Sequence, residues 1–245
     1  MGNYKFDFKH FSIKQERTAM KVGTDGVLLG AWISPISSAR ILDIGTGTGL
    51  IALMLAQRFQ YATVDAIEID HEAAEEAKEN VANSSWPDRI NVIETSLNDY
   101  HKSLLDTQTT THNCYDLIVT NPPFYNATLK PDDNARAAAR HADSLPFGDI
   151  TRFADRYLSK DGKLAVIYPT NCEENIMTGI SSSSLKCITI CDVFTVKGKP
   201  AKRRMAVFGK NSEGEVKHEE LFIRDEGNNY TQQYIDITRD FYLHL

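Results

Sequence analysis

The chain has 245 residues, 42% hydrophobic and 24% charged, the balance of a soluble globular protein with a sizeable core. A formal net charge of −6 argues against a protein that coats nucleic acid nonspecifically, while leaving room for a local basic patch. No apolar stretch reaches membrane-spanning length, the opening MGNYKFDFKH lacks a signal-peptide core, and Cys114, Cys172, Cys187 and Cys191 have neither CxxC nor zinc spacing, so a cytoplasmic protein with reduced thiols is expected.

A segment of about forty residues, including KHFSIKQERTAMKVGTDGVLLGAW, precedes the first strong strand signal. From Ala39 onward, ARILDIG, ATVDAIEID, INVIETS, YDLIVTN and GKLAVIYP read as strands. LIALMLAQRF, HEAAEEAKENVANSS and DSLPFGDITRFADRYLS read as helices, the last ended by Asp161-Gly162. Apolar strands separated by helices imply an α/β, Rossmann-like fold: a mostly parallel sheet with helices on both faces. LKCITICDVFTV and RRMAVFGK, joined by KGKPAK, form an antiparallel hairpin that closes a seven-stranded sheet, and EVKHEELFIRD is a candidate extra strand. One domain over 1–245 is expected, with an N-terminal segment 1–38, a core sheet 39–210 and a C-terminal extension 211–245.

Gly45, Gly47 and Gly49 end the first of these strands and open a helix, so the backbone can turn sharply and a ligand can come close. The G-x-G-x-G spacing departs from the dinucleotide fingerprint, whose third glycine would fall at Leu50, and no Lys-Ser/Thr follows as in a Walker loop. With Asp43 just before it, the loop suits a ligand carrying an ammonium, for Asp43, and a carboxylate, for the loop amides. A plain tight turn is the alternative. At the end of the second strand, Asp70 suits the N-cap of the next helix. Glu68 has no such duty; a carboxylate buried there is costly unless something pairs with it, and a ribose diol would do so.

YDLIV runs into Thr120-Asn121-Pro122-Pro123-Phe124-Tyr125. Proline gives no N–H to a sheet and forces the preceding residue into extended geometry, so the strand stops at Asn121. Its amide is either an ordinary strand exit or one of a rigid set of acceptors.

Asp43–Gly49, Glu68 and Asn121–Phe124, in this order and spacing, resemble class I S-adenosylmethionine-dependent methyltransferases, and NPPF resembles the motif of those acting on amino groups. IKQERTAMKVGTDGVLLGAW is similar to the N-terminal segment of the bacterial tRNA(Val) adenine-37 N6-methyltransferases, a resemblance that covers nearly the whole chain. It implies that S-adenosylmethionine is the cofactor, leaving as S-adenosylhomocysteine, with no metal. Asp43, Gly45, Gly47 and Gly49 would lie around its methionine part, Glu68 would hold its ribose and Asn121 would also touch it, while Lys21, Gly23, Thr24 and Asp25 would form a flap against it. Asp25 could equally cap GVLLGAW. Where such enzymes commonly carry an acidic residue for the cofactor's adenine, this chain has Ser96, with Leu97 behind it. Asn121, Pro122, Pro123 and Phe124 would be the catalytic set: the Asn121 side-chain oxygen and the Pro122 carbonyl accept both N–H groups of the target amine, and Phe124 stacks on the base.

The resemblance implies tRNA as substrate and no obligate protein partner. Arg136, Arg140, Lys199, Lys202 and Arg203 are the candidate RNA contacts, beside Lys197 and Arg204; a solvated turn is the plain alternative for the last cluster. The competing functions are methyl transfer to ribosomal RNA, at guanine N2 or adenine N6, and to a protein glutamine. Glutamine enzymes usually carry a substantial helical domain before the glycine loop.

Overall fold

The computed structural model describes residues 4–18, 20–34, 39–106, 114–123, 145–210 and 214–244. In chain order these form β1 (Lys5–Asp7), β2 (Ser12–Lys14), α1 (Thr24–Trp32), β3 (Arg40–Ile44), α2 (Leu50–Arg58), β4 (Thr63–Glu68), α3 (His71–Ala82) and β5 (Ile90–Glu94). There follow α4 (Leu97–Asp106), β6 (Tyr115–Thr120), α5 (Phe147–Tyr157), β7 (Leu158–Pro169), α6 (Glu173–Ser181), β8 (Lys186–Val196), β9 (Arg203–Gly209), β10 (Lys217–Arg224) and α7 (Gln232–Thr238).

Eight strands form one sheet in the order β10-β8-β9-β7-β6-β3-β4-β5. β5, β4, β3, β6 and β7 are parallel, and β9 enters antiparallel between β7 and β8. The alternating pleat sends Ile41, Val64, Leu117 and Ala165 into one core with α1 and α2, and Leu42, Ile118, Leu164 and Val166 into another with α5 and α6. Apolar residues are thus needed on both faces, the signature of a buried parallel strand.

Three expectations change. The β8–β9 hairpin is present but does not close the sheet, because β10 adds an eighth strand parallel to β8. Phe222 lies opposite Phe194 with ring centroids 4.6 Å apart, and Leu221 is buried, so half the strand's side chains have a reason to dock. The helix ends at Tyr157 rather than at Asp161-Gly162, since residues 158–160 are already extended in β7. The N-terminal segment contains a short hairpin, β1–β2, bonded through Phe8 to Tyr242 and joined to an aromatic cluster with Phe6 and Phe11. No helix of the described residues is long and apolar enough to cross a membrane.

Register fixes where the loops emerge. Ile44 is level with Ile67 and Thr120, and Glu68 with Glu94. The carboxyl ends of β3, β4, β5 and β6 therefore open along one edge, where open α/β sheets bind ligands.

Candidate active site

A cavity of about 540 Å³ lies on that edge, within the range of small-molecule sites. Ile44, Gly45 and Gly47 come from the end of β3 and the glycine loop, Ile67 to Asp70 from the end of β4 and the turn after it, Thr95 to Asn98 from the turn after β5 and the start of α4, and Thr120 to Pro123 from the end of β6 and the residues beyond it. Thr18 and Met20 close one side, and Leu145, Pro146 and Asp149 another.

Gly45 and Gly47 have φ of 70° and 56°, left-handed values that disfavour other residues. A Cβ on either would meet nothing within 4 Å, so the space beside the loop is open. Most of the loop's amides are not. Gly45 and Thr46 donate to the Ile67 carbonyl, Gly47 donates to Glu68 Oε2, and Gly49 donates to the Thr46 carbonyl. The loop therefore offers shape more than free donors, contrary to the expectation that its amides receive an anion.

Asp43 is buried and does not line the cavity. Its Oδ2 accepts a 2.6 Å bond from the Thr46 hydroxyl, while Oδ1 has no hydrogen-bond partner among the described residues. Burial pushes this carboxyl up from 3.8 to about 7; the Thr46 hydroxyl and the Ala52 amide pull it back in part, and the charge of Glu68 adds to the rise.

Glu68 is half-buried and already bonded by the protein. Besides Gly47, the amides of Ile69 (2.9 Å) and Asp70 (3.0 Å) donate to Oε1. A carboxylate has about four acceptor positions, so one remains, on Oε2. Asp70 caps α3, accepting from the Ala73 amide at 2.8 Å as its position suggested. Ser96 caps α4: it accepts the Asp99 amide at 3.0 Å and donates its hydroxyl to Asp99 Oδ2 at 2.7 Å, a reciprocal pair. Ser96 and Leu97 line the cavity, and so does Asn98, which sequence reasoning passed over.

Thr120 donates to the Ile44 carbonyl at 2.9 Å, tying the end of β6 to β3. Asn121 then leaves the sheet into the cavity with Pro122 and Pro123. Its amide makes no hydrogen bond with any described residue. Phe124, Arg136 and Arg140 lie outside the described residues.

The remaining N-terminal candidates stand back from the cavity. Lys21 donates to the Gln15 carbonyl and lies over the Tyr4 ring; Gly23 precedes α1, and Thr24 begins it. Asp25 sits in the first turn rather than at the cap, and accepts from Arg203 Nε at 2.6 Å. One candidate flap residue and one candidate RNA contact are thus joined to each other. Arg204 is held by Asp192 and Glu173, which leaves Lys197, Lys199 and Lys202 as the exposed cations of the β8–β9 turn. Pro169 pairs with Arg203 beyond the level at which Thr120 pairs with Val166, so this turn rises from the cavity's edge of the sheet.

Residues 20–177 match the model of the methyltransferase small domain family. A tRNA1(Val) (adenine(37)-N6)-methyltransferase of Flavobacterium johnsoniae is 43% identical over 98% of this chain and 100% of its own. The enzyme of that name from Trichodesmium erythraeum is 44% identical over 99% of each chain. The chain belongs to this methyltransferase family. The solved structure of a predicted O-methyltransferase from Agrobacterium tumefaciens shares the fold, with a TM-score of 0.70 over 89% of this chain and 96% of that one, at 21% identity.

The family implies S-adenosylmethionine, and the cavity fits it. For a planar base the lining offers apolar surface in Ile69, which is 61% exposed, and Leu97, and polar groups in Ser96 and Asn98. A ribose hydroxyl finds the remaining acceptor of Glu68. The open space beside Gly45 and Gly47 admits a chain running toward Asn121. Outside the cavity, His71, Glu75 and Glu94 bring three ligand atoms within 4.8 Å of one another; His71 Nδ1 meets Glu94 at 3.0 Å, and that bond raises the imidazole pKa.

Proposed function

We propose that this enzyme transfers a methyl group from S-adenosylmethionine to the N6 amine of an adenine in tRNA, adenine 37 of tRNA1(Val) being the position named for its relatives. The observation that carries the reading is the Asn121 amide, without a partner among the described residues, at a proline-fixed strand end in one cavity with Glu68 and the glycine loop.

An exocyclic adenine amine is a weak nucleophile because its lone pair is delocalised into the ring. The Asn121 side-chain oxygen and the Pro122 carbonyl accept its two N–H groups and turn the lone pair out of the ring plane. Pro122 and Pro123 hold both acceptors still, so little reorganisation is needed as positive charge develops on nitrogen. The cofactor's sulfonium supplies the electrophilic methyl group. The nitrogen–methyl bond would form as the sulfur–methyl bond breaks, and the amine, made acidic only by that transfer, would lose its proton to solvent, so no strong base is required to begin attack. Phe124 would stack on the base, contributing roughly 1–3 kcal/mol.

The tRNA would cross the turn carrying Lys197, Lys199 and Lys202, whose side chains stand exposed beside the cavity's edge on a chain of net charge −6. Arg203 belongs to the same turn but is engaged with Asp25.

The test is methyl transfer from radiolabelled S-adenosylmethionine to tRNA from cells lacking this protein, followed by nucleoside separation. Label in N6-methyladenosine that disappears in Asn121→Ala, with S-adenosylhomocysteine binding retained, supports the reading. Cofactor binding without label in tRNA overturns it in favour of ribosomal RNA or protein amides.

A further inference from the structure

Glu76 and Asn80 stand one turn apart on α3 and are 1% and 2% exposed, whereas Glu72, Glu75 and Glu79 on the same helix are not buried. Burying a carboxylate is costly unless its oxygens are bonded. Here they are bonded to three consecutive amides of the N-terminal segment. Those of Glu16 (2.6 Å) and Arg17 (3.1 Å) donate to Oε1, and that of Thr18 (3.1 Å) donates to Oε2. Asn80 accepts from the Lys14 amide at 2.8 Å and donates to the Lys14 carbonyl at 3.0 Å. It also donates to the carbonyl of Thr48, inside the glycine loop, at 2.9 Å. At the far end the Val22 amide donates to Gln15 Oε1, and Lys21 Nζ to the Gln15 carbonyl.

Residues 15–18 and 20–22 thus form a strap without regular structure, whose shape is imposed by side chains. Its Thr18 and Met20 line the cavity, and Met20 is 54% exposed there despite being apolar. An ordinary surface helix would gain nothing from an inward carboxylate at position 76. A wall that must stay at a fixed distance from the glycine loop needs one, because only a carboxylate offers two oxygens to three converging amides.

We propose that Glu76 is a positioning residue for methyl transfer. It touches neither reactant, fixes the strap as one wall of the cofactor cavity and, with Asn80, locks that wall to the glycine loop. This rests on the reading of the cavity as the S-adenosylmethionine site.

The experiment measures S-adenosylhomocysteine binding by calorimetry, and steady-state kinetics, on the full chain and three variants. Glu76→Gln replaces one acceptor oxygen with an NH2 group facing an amide donor. Gln15→Met opens the strap's other end with α3 untouched, and Glu72→Gln is the exposed control. Glu76→Gln is expected to raise the dissociation constant and the KM for S-adenosylmethionine about tenfold, with kcat within about twofold. Trypsin should cut it faster after Arg17 or Lys21, and Glu72→Gln should match wild type. A merely structural role would lower the active fraction and kcat while leaving the affinity of folded molecules unchanged. A folded Glu76→Gln that binds within about twofold of wild type overturns the inference. If that variant does not fold, Gln15→Met decides, weaker binding supporting the inference and unchanged binding overturning it. A wild-type chain that does not bind overturns the cavity reading and this inference with it.

Discussion

Replacing Asp43 with asparagine isolates one buried carboxyl whose proton the fold holds. Its folded value lies near 7 against an ordinary 3.8, chiefly through burial. The folded state therefore binds the proton more tightly than the unfolded chain. The stabilisation is complete below about pH 3.8, declines between pH 3.8 and about 7, and is gone above that. At about 1.36 kcal/mol per pH unit the whole interval is worth about 4 kcal/mol, of which about 3 kcal/mol falls between pH 5 and 7. The asparagine side chain keeps an oxygen for the Thr46 hydroxyl and has nothing to titrate. Any constant cost of the substitution is the same at both ends of the range, so the signal is the change with pH. For a chain of this size about 2–4 °C of Tm accompanies each kcal/mol. The Tm of Asp43→Asn relative to wild type should therefore rise by roughly 6–12 °C between pH 5 and pH 8, read by calorimetry without cofactor. A difference that stays constant within 2 °C or so across that range would refute the claim that Asp43 is the group concerned.

Three further outcomes follow from the site. Lys199→Glu with Lys202→Glu should raise the KM for tRNA about tenfold and flatten the salt dependence of RNA binding, while S-adenosylhomocysteine affinity stays at its wild-type value. Gly47→Ala has space for its Cβ but not the backbone conformation, so about 1–2 kcal/mol of strain should appear as a lower Tm and weaker cofactor binding, by melting and calorimetry. Asn121→Ala should abolish label transfer to tRNA while S-adenosylhomocysteine is still bound, by the label assay and calorimetry.

What could be read from the sequence was what local chemistry determines. The two-proline exit at Asn121, the left-handed glycines and the Asp70 cap each follow from a residue type at a strand or helix end. The central strands were legible because parallel strands buried on both faces are mostly apolar, with only a few polar residues such as Asp43, Asp65 and Asp116 to interrupt the pattern. β10 was less so: its KHEE half is polar and mostly exposed on the edge, and only Leu221 and Phe222 announce a partner. Glu76 and Asn80 were hidden for a different reason. In HEAAEEAKENVA the acids outnumber every other side chain except alanine, and nothing local distinguishes the one turned inward. Its partners lie 58 to 60 residues away. The Asp25–Arg203 pair joins residues 178 apart, a distance over which no pattern in the chain is informative.

The bridge between Phe8 and Tyr242, with the Lys9 amide donating to the Phe241 carbonyl, sets a timetable for assembly on the ribosome. Phe8 is synthesised more than two hundred residues before its partner, an interval of roughly 10–50 s at ordinary rates. Until α3 has emerged the strap has no carboxylate to receive it, and until residues 241–242 emerge the β1–β2 hairpin lacks its aromatic seat. α3 and the strands around the glycine loop all emerge well before residues 241–242. All the residues that line the cavity, from Thr18 to Asp149, are therefore made before residues 241–242 seat the β1–β2 hairpin.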